Sequence, residues 1–245
     1  MPKITPRNIE YFKQELLSIE KELMTLPEGH LRCRRNFIHY CPISKKEKGI
    51  TKNTQLIKQL ARKEFILARR SQIKNNLTQP LNKHDYRKPY ELIDNLPQAY
   101  QDLPIDYFYH PSVEKWLAKP PRFNTLYQDN AKYTYNDISY RSLSEREIAR
   151  KLDENGIPFY YDTRFSTGTE DISPDFQIKN PFNGKVFLWE FFGAFHITDY
   201  GQKMNDKMAA YRKINFIEGD NLIATFEHHL RDTSLIQEII DTIIW

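Results

Sequence analysis

A chain of 245 residues, 40% apolar and 28% charged, has room for one large domain or two small ones with modest cores. No apolar run approaches the roughly 18–20 residues of a membrane span, and the N-terminus has no apolar signal stretch, so a cytoplasmic protein with no membrane partner is expected. The net charge of +4 hides an asymmetry: residues 31–90 hold 16 Lys plus Arg against 3 Asp plus Glu, and residues 131–245 hold 13 against 18. A basic half joined to an acidic half suits a polyanion-binding surface beside a carboxylate-based site.

The first element is an amphipathic helix over Asn8 to Leu26, with Ile9, Phe12, Leu16, Ile19, Leu23 and Leu26 at helical spacing. Pro27-Glu28-Gly29 ends it. Leu31 to Ile43 mixes β-formers with arginine and predicts a small ribbon, followed by a basic loop over Lys45 to Lys52. Cys33, Cys41 and His39 lie close in sequence but lack a CxxC and a fourth ligand, so reduced thiols are expected rather than a metal cluster. A second helix is predicted from Asn53 or Thr54 to Leu77. One face is apolar; Arg62, Lys63, Arg69 and Arg70 on the other are candidate phosphate contacts. Residues 1–79 therefore read as a basic helical-hairpin module with a ribbon.

Residues 80–130 are dense in proline and tyrosine, which excludes long helices. Short ones are expected near Tyr90 to Asn95 and Ser112 to Leu117. The stretch reads as an ordered connector and a candidate docking surface for a protein partner.

Residues 131–245 form the predicted core. Ser142 or Ser144 caps a helix that ends at Asn155-Gly156. Strands follow near 157–162, 174–179 and 185–191, then a helix over 199–214, a strand over 221–226 and a last helix over 233–244. That order describes a mixed α/β sheet with helices on its faces. Asn183-Gly184 between the second and third strands is a hairpin signal. Val186 to Phe192 is almost continuously apolar, as in a strand buried on both faces, yet it carries Glu190. A lone buried carboxylate demands a positive partner, and Asp175 opens the neighbouring strand. Two converging carboxylates suit a hard cation such as Mg²⁺.

The order of these segments resembles the PD-(D/E)XK nuclease superfamily, in a bacterial and phage branch whose motif reads W-E-x-x-G. The resemblance rests on Leu143-Ser144-Glu145, Pro174-Asp175, Trp189-Glu190 with Gly193, and the later Tyr200, Lys203, Lys207 and Tyr211, over residues 138–228. It implies a PD-(D/E)XK-like mixed sheet flanked by helices, preceded by the basic helical module. It implies a Mg²⁺-dependent endonuclease, with Mn²⁺ substituting, that hydrolyses DNA in preference to RNA. Asp175 and Glu190 would hold the metal, and Glu145 would complete its shell, although Ser142-x-x-Glu145 also fits a capping box. The chain departs from the family where a lysine is expected, two residues after the acid: Phe192 stands there. Lys207, and after it Lys203, are the candidate replacements from the following helix, with Tyr211 as a phosphate contact. His196, His228 and His229 are read as surface or packing residues. The alternative is a nucleic-acid-binding protein that keeps the fold without catalysis.

Overall fold

The computed structural model describes residues 6–35, 37–43, 45–123, 132–166, 171–193, 200–227 and 233–244. The chain divides into two compact units, residues 1–110 and 111–245. The connector is therefore shared between them rather than standing as a segment of its own.

In the first unit, α1 (Pro6–Leu23) precedes an antiparallel sheet of β1 (His30–Arg34), β2 (Phe37–Cys41) and β3 (Lys48–Gly49), and α2 (Thr54–Thr78) follows. The ribbon expected from sequence thus gains a third strand from the basic loop. The Asn53 side chain accepts from the Leu56 amide and caps α2. Ile57, Leu60, Phe65, Ile66 and Ile73 form its buried face. Beyond α2 come a 3₁₀ turn over Tyr90–Asn95, α3 (Gln98–Gln101) and another 3₁₀ turn over Ile105–Phe108. The proline-rich chain is held to α2 by polar side chains: Asn76 Nδ2 donates to the Asp85 carbonyl at 2.8 Å, and Gln72 Nε2 to that of Arg87 at 2.9 Å. Tyr100 and Phe108 are buried, so these connector aromatics pack within their own unit.

The second unit starts with α4 (Pro111–Leu117) and a hairpin of β4 (Tyr133–Tyr135) and β5 (Ile138–Tyr140), not expected above, whose two-residue turn Asn136-Asp137 takes positive φ values of 46° and 60°, which Asn and Asp tolerate. Next come α5 (Leu143–Glu154), β6 (Phe159–Tyr161), the two-residue strands β7 (Phe165–Ser166) and β8 (Asp171–Ile172), β9 (Phe176–Lys179), β10 (Val186–Phe192), α6 (Tyr200–Lys213), β11 (Leu222–Phe226) and α7 (Ser234–Ile239), which runs into a π-helical turn over Ile240–Ile244. The main sheet has the order β11-β10-β9-β6, with β10 and β11 parallel and the other pairs antiparallel.

Helices cover both faces of this sheet. Ile148 and Leu152 of α5, with Ile236 and Ile240, pack on Phe176, Ile178, Phe187, Trp189 and Ile223. Met208 and Tyr211 of α6 pack on Leu188, Phe192 and Leu222 on the other side. The continuous apolar run of β10 follows from this double burial. Its hairpin with β9 forms as read, but across residues 180–185 rather than by a two-residue turn. Asn180 Oδ1 accepts from the amides of Phe182 and Asn183, and Gly184 takes a φ of 71°, which glycine adopts without strain. Among the described residues no helix is long and apolar enough to cross a membrane.

Candidate active site

The acids gather at one end of the sheet because of its register. Trp189 pairs with Phe176 and Tyr161 pairs with Phe176, so one step further places Glu190, Asp175 and Asp162 in a row across three strands. The Asp162 amide continues the ladder, donating to the Asp175 carbonyl at 2.9 Å. Register partners share a face of the sheet, so the three carboxylates emerge together. Asp162 does so with a φ of 44°, an uncommon conformation for a non-glycine residue. All three are buried, as is Glu145.

Asp175 is fixed on both oxygens. Its Oδ2 accepts from the Phe191 amide at 2.7 Å, and its Oδ1 from Arg141 Nη2 at 2.6 Å. The same guanidinium nitrogen lies 3.7 Å from Glu145 Oε1 and 3.9 Å from Asp162 Oδ1. One positive nitrogen thus stands among three carboxylates from three elements. Arg141 Nε is buried beside it without a hydrogen-bond partner.

Glu190 meets the other cation. Lys207 Nζ donates to its Oε2 at 2.8 Å, and the Tyr211 hydroxyl donates to its Oε1. Lys207 and Tyr211 lie one turn apart on α6, which packs on the face from which Glu190 emerges. Burial, reinforced by the Asp175 carboxylate, pushes the Glu190 carboxyl up to about 8, against the pull of Lys207 and Tyr211. Burial works against the Lys207 ammonium, but Glu190 and Asp175 outweigh it and raise its pKa. The Tyr211 phenol is raised by burial and by Glu190.

Glu145 does what its capping-box spacing predicts. Its Oε2 accepts from the amides of Arg141 and Ser142 and from the Tyr161 hydroxyl, while Ser142 Oγ receives the Glu145 amide. Only Oε1 faces Arg141 and the acid row. Burial, then the charge on Asp175, raises the Glu145 pKa.

The structure thus brings Glu145, Asp175, Glu190, Lys207 and Tyr211 together. Lys203 is exposed one turn earlier on α6 and makes no pair with these acids. Phe192 is 4% exposed and stacks on Phe226 at 5.6 Å, so the expected lysine position belongs to the core. The phosphate contacts assigned to α2 need correction. Arg62 donates to both oxygens of Glu22 at 2.8 Å, and Arg69 to both of Glu15 at 2.8 and 2.9 Å. Both arginines are buried, so they zip α2 to α1 instead of facing solvent. Lys63 reaches the carbonyls of Pro27 and Gly29, and Arg70 the carboxylate of Glu20. His196, His228 and His229 lie outside the described residues.

Arg141 and Asp162 were not read as site residues. Arg141 lies directly before the capping serine, and Asp162 directly follows β6, the strand that pairs with β9. Both signals are visible only once the strand register is known.

Among the described residues no three of His, Cys, Asp and Glu are placed so as to hold a metal ion. The donors nonetheless suit a hard cation: all are carboxylate oxygens, and the Arg141 guanidinium already occupies a cation position between Glu145, Asp162 and Asp175. Asp175 and Glu190, opposed across one strand pair, would supply the ligands, with Glu145 Oε1 nearby. No protein-family model, curated protein or solved structure matches the chain.

Proposed function

We propose that this protein is a divalent-metal-dependent nuclease of PD-(D/E)XK type that hydrolyses phosphodiester bonds, with DNA as its preferred substrate and Mg²⁺ or Mn²⁺ as its cofactor. The observation that carries the reading is the Lys207–Glu190 pair: a buried carboxylate on a central strand meets a lysine delivered by the next helix, 2.8 Å away. The resemblance of the motif order points the same way, and Lys207 supplies the cation that Phe192 cannot.

A bound divalent ion would activate a water and offset charge on the phosphate. The side chains do the rest. Asp175, tied to the Phe191 amide, and Glu190, tied to Tyr211, are held for binding by backbone and neighbouring helix. Lys207 presents an ammonium where the phosphoryl group gathers negative charge, which is the largest single contribution such sites make. Arg141 is half-buried and long enough to leave the acids and pair with a phosphate oxygen.

The second reading is a binding protein without catalysis. It is favoured by one feature: Arg141 pairs with Asp175 and Lys207 with Glu190, so each of these acids has a cation of the protein's own as a partner. Incubation of supercoiled plasmid with the purified protein in Mg²⁺ or Mn²⁺, and again in EDTA, separates the two. Nicking that EDTA abolishes supports the nuclease; binding without nicking in either metal supports the alternative.

A further inference from the structure

The cations of α2 are engaged within their own unit, so the basic character of this region must be expressed elsewhere. It lies on the β1–β2–β3 ribbon. The ribbon has two unlike faces. Leu31 is 3% exposed, and its amide donates to the Tyr100 hydroxyl at 2.8 Å, which seats that face on the unit's interior. The other face carries Arg32 and Arg34, with side chains 52% and 57% exposed. Arg32 pairs in register with His39, and Arg34 with Phe37, so all four residues share this open face.

These donors converge on one anion. Glu47, just ahead of β3, folds over the face. Its Oε2 lies 3.0 Å from Arg34 Nη2 and 3.7 Å from Arg32 Nη1, and its Oε1 lies 3.2 Å from His39 Nδ1. That Oε1 is buried without a hydrogen-bond partner. The carboxylate is thus gripped by charge but incompletely satisfied, at a place where two guanidinium groups and an imidazole could receive an anion with more acceptor oxygens. Phe37, 60% exposed beside Arg34, adds an apolar ring of the kind on which bases stack.

The geometry points to the Arg32–Arg34–His39 face as a phosphate-binding surface for a DNA strand, with Glu47 occupying the phosphate position in the free protein. Arginines two apart on a strand present successive forks along one edge, matched to the repeating charge of a nucleic-acid backbone. Glu47 then acts as an internal competitor that DNA must displace, which weakens non-specific binding. The inference rests on the nucleic-acid reading of the function but not on catalysis, and it is tested without metal.

The experiment is fluorescence anisotropy of a labelled single-stranded DNA in EDTA, over a salt series, with the full chain. It compares wild type, Glu47→Gln, and Arg32→Gln with Arg34→Gln. Arg32 and Arg34 are exposed and Glu47→Gln keeps the size of a half-buried side chain, so the circular dichroism spectrum should be unchanged in all variants and the melting temperature close to that of wild type. Glu47→Gln should bind at least about threefold tighter. The double variant should bind at least about tenfold more weakly, with a log–log salt slope shallower by about 1.4, or 0.7 per lost contact on a single strand. Unchanged affinity in either variant, or no DNA binding by the wild type at low salt, overturns the proposal. Metal-dependent nicking by protein that fails this test would leave the catalytic reading standing. Passing it without nicking would leave the surface and remove the nuclease.

Discussion

Lys207 Nζ lies 2.8 Å from Glu190 Oε2, and the two residues come from a helix and a strand that pack face to face. A phosphoryl-transfer site loses on the order of 10²–10³ in rate when one fixed electrostatic donor is removed. Lys207→Ala should therefore slow cleavage by at least about 100-fold with DNA affinity nearly unchanged. Lys207→Arg should rescue poorly, because a planar guanidinium does not replace a compact ammonium. Lys203→Ala should cut at the wild-type rate, since that side chain is exposed and unpaired. Single-turnover plasmid nicking measures all three, and a fast Lys207→Ala enzyme would contradict the assignment.

The pairing was partly legible in the sequence. Glu190 stood out because β10 is otherwise apolar, and Lys207 and Tyr211 because they fall one helical turn apart. What the sequence could not supply was register. The row of Asp162, Asp175 and Glu190 exists only because β6, β9 and β10 align with no slip, and a single-residue shift would send these carboxylates to opposite faces. The reverse error occurred at α2. Arg62 and Arg69 have the spacing of a solvated basic face, and only the opposing Glu15 and Glu22 of α1 turn that face inward.

Arg141 competes with any cation for the acid row, because its Nη2 is 2.6 Å from Asp175 Oδ1. Arg141→Gln should therefore raise Mn²⁺ affinity by about tenfold, equivalent to about 1.4 kcal/mol, in isothermal titration calorimetry. The same variant should cut DNA more slowly, having lost a group suited to the phosphate. Unchanged or weaker Mn²⁺ binding would show that the guanidinium does not occupy the cation's place.

Glu190 sets a pH dependence in metal-free protein. Its carboxyl is raised from the ordinary glutamate value of 4.5 to about 8, so the folded state favours its protonated form. That contribution to stability is fully present below about 4.5 and is lost as pH rises to about 8, at up to roughly 1.4 kcal/mol per pH unit. Urea denaturation in EDTA at pH 5, 6, 7 and 8 should show wild type falling relative to Glu190→Gln across that window. Parallel stability curves for the two proteins would contradict the shift.

Arg62 tests the corrected role of α2. Its guanidinium is buried and forms a bidentate pair with the partly exposed Glu22, and removing one partner of a fully buried pair costs about 3–5 kcal/mol, which sets an upper bound here. Arg62→Ala should lower the urea midpoint by up to that equivalent while leaving the salt slope of DNA binding unaltered under conditions where the protein stays folded. A shallower slope with little loss of stability would restore the phosphate role.

The central claim is that Asp175 and Glu190 together would hold the divalent ion on which DNA cleavage depends. The rate of plasmid nicking by Asp175→Asn and Glu190→Gln, at equal concentration beside wild type in saturating Mg²⁺, tests it most directly. The account predicts metal-dependent nicking by wild type and none detectable from either variant, with both variants folded by circular dichroism and still binding DNA in EDTA. Nicking by either variant at the wild-type rate would contradict it.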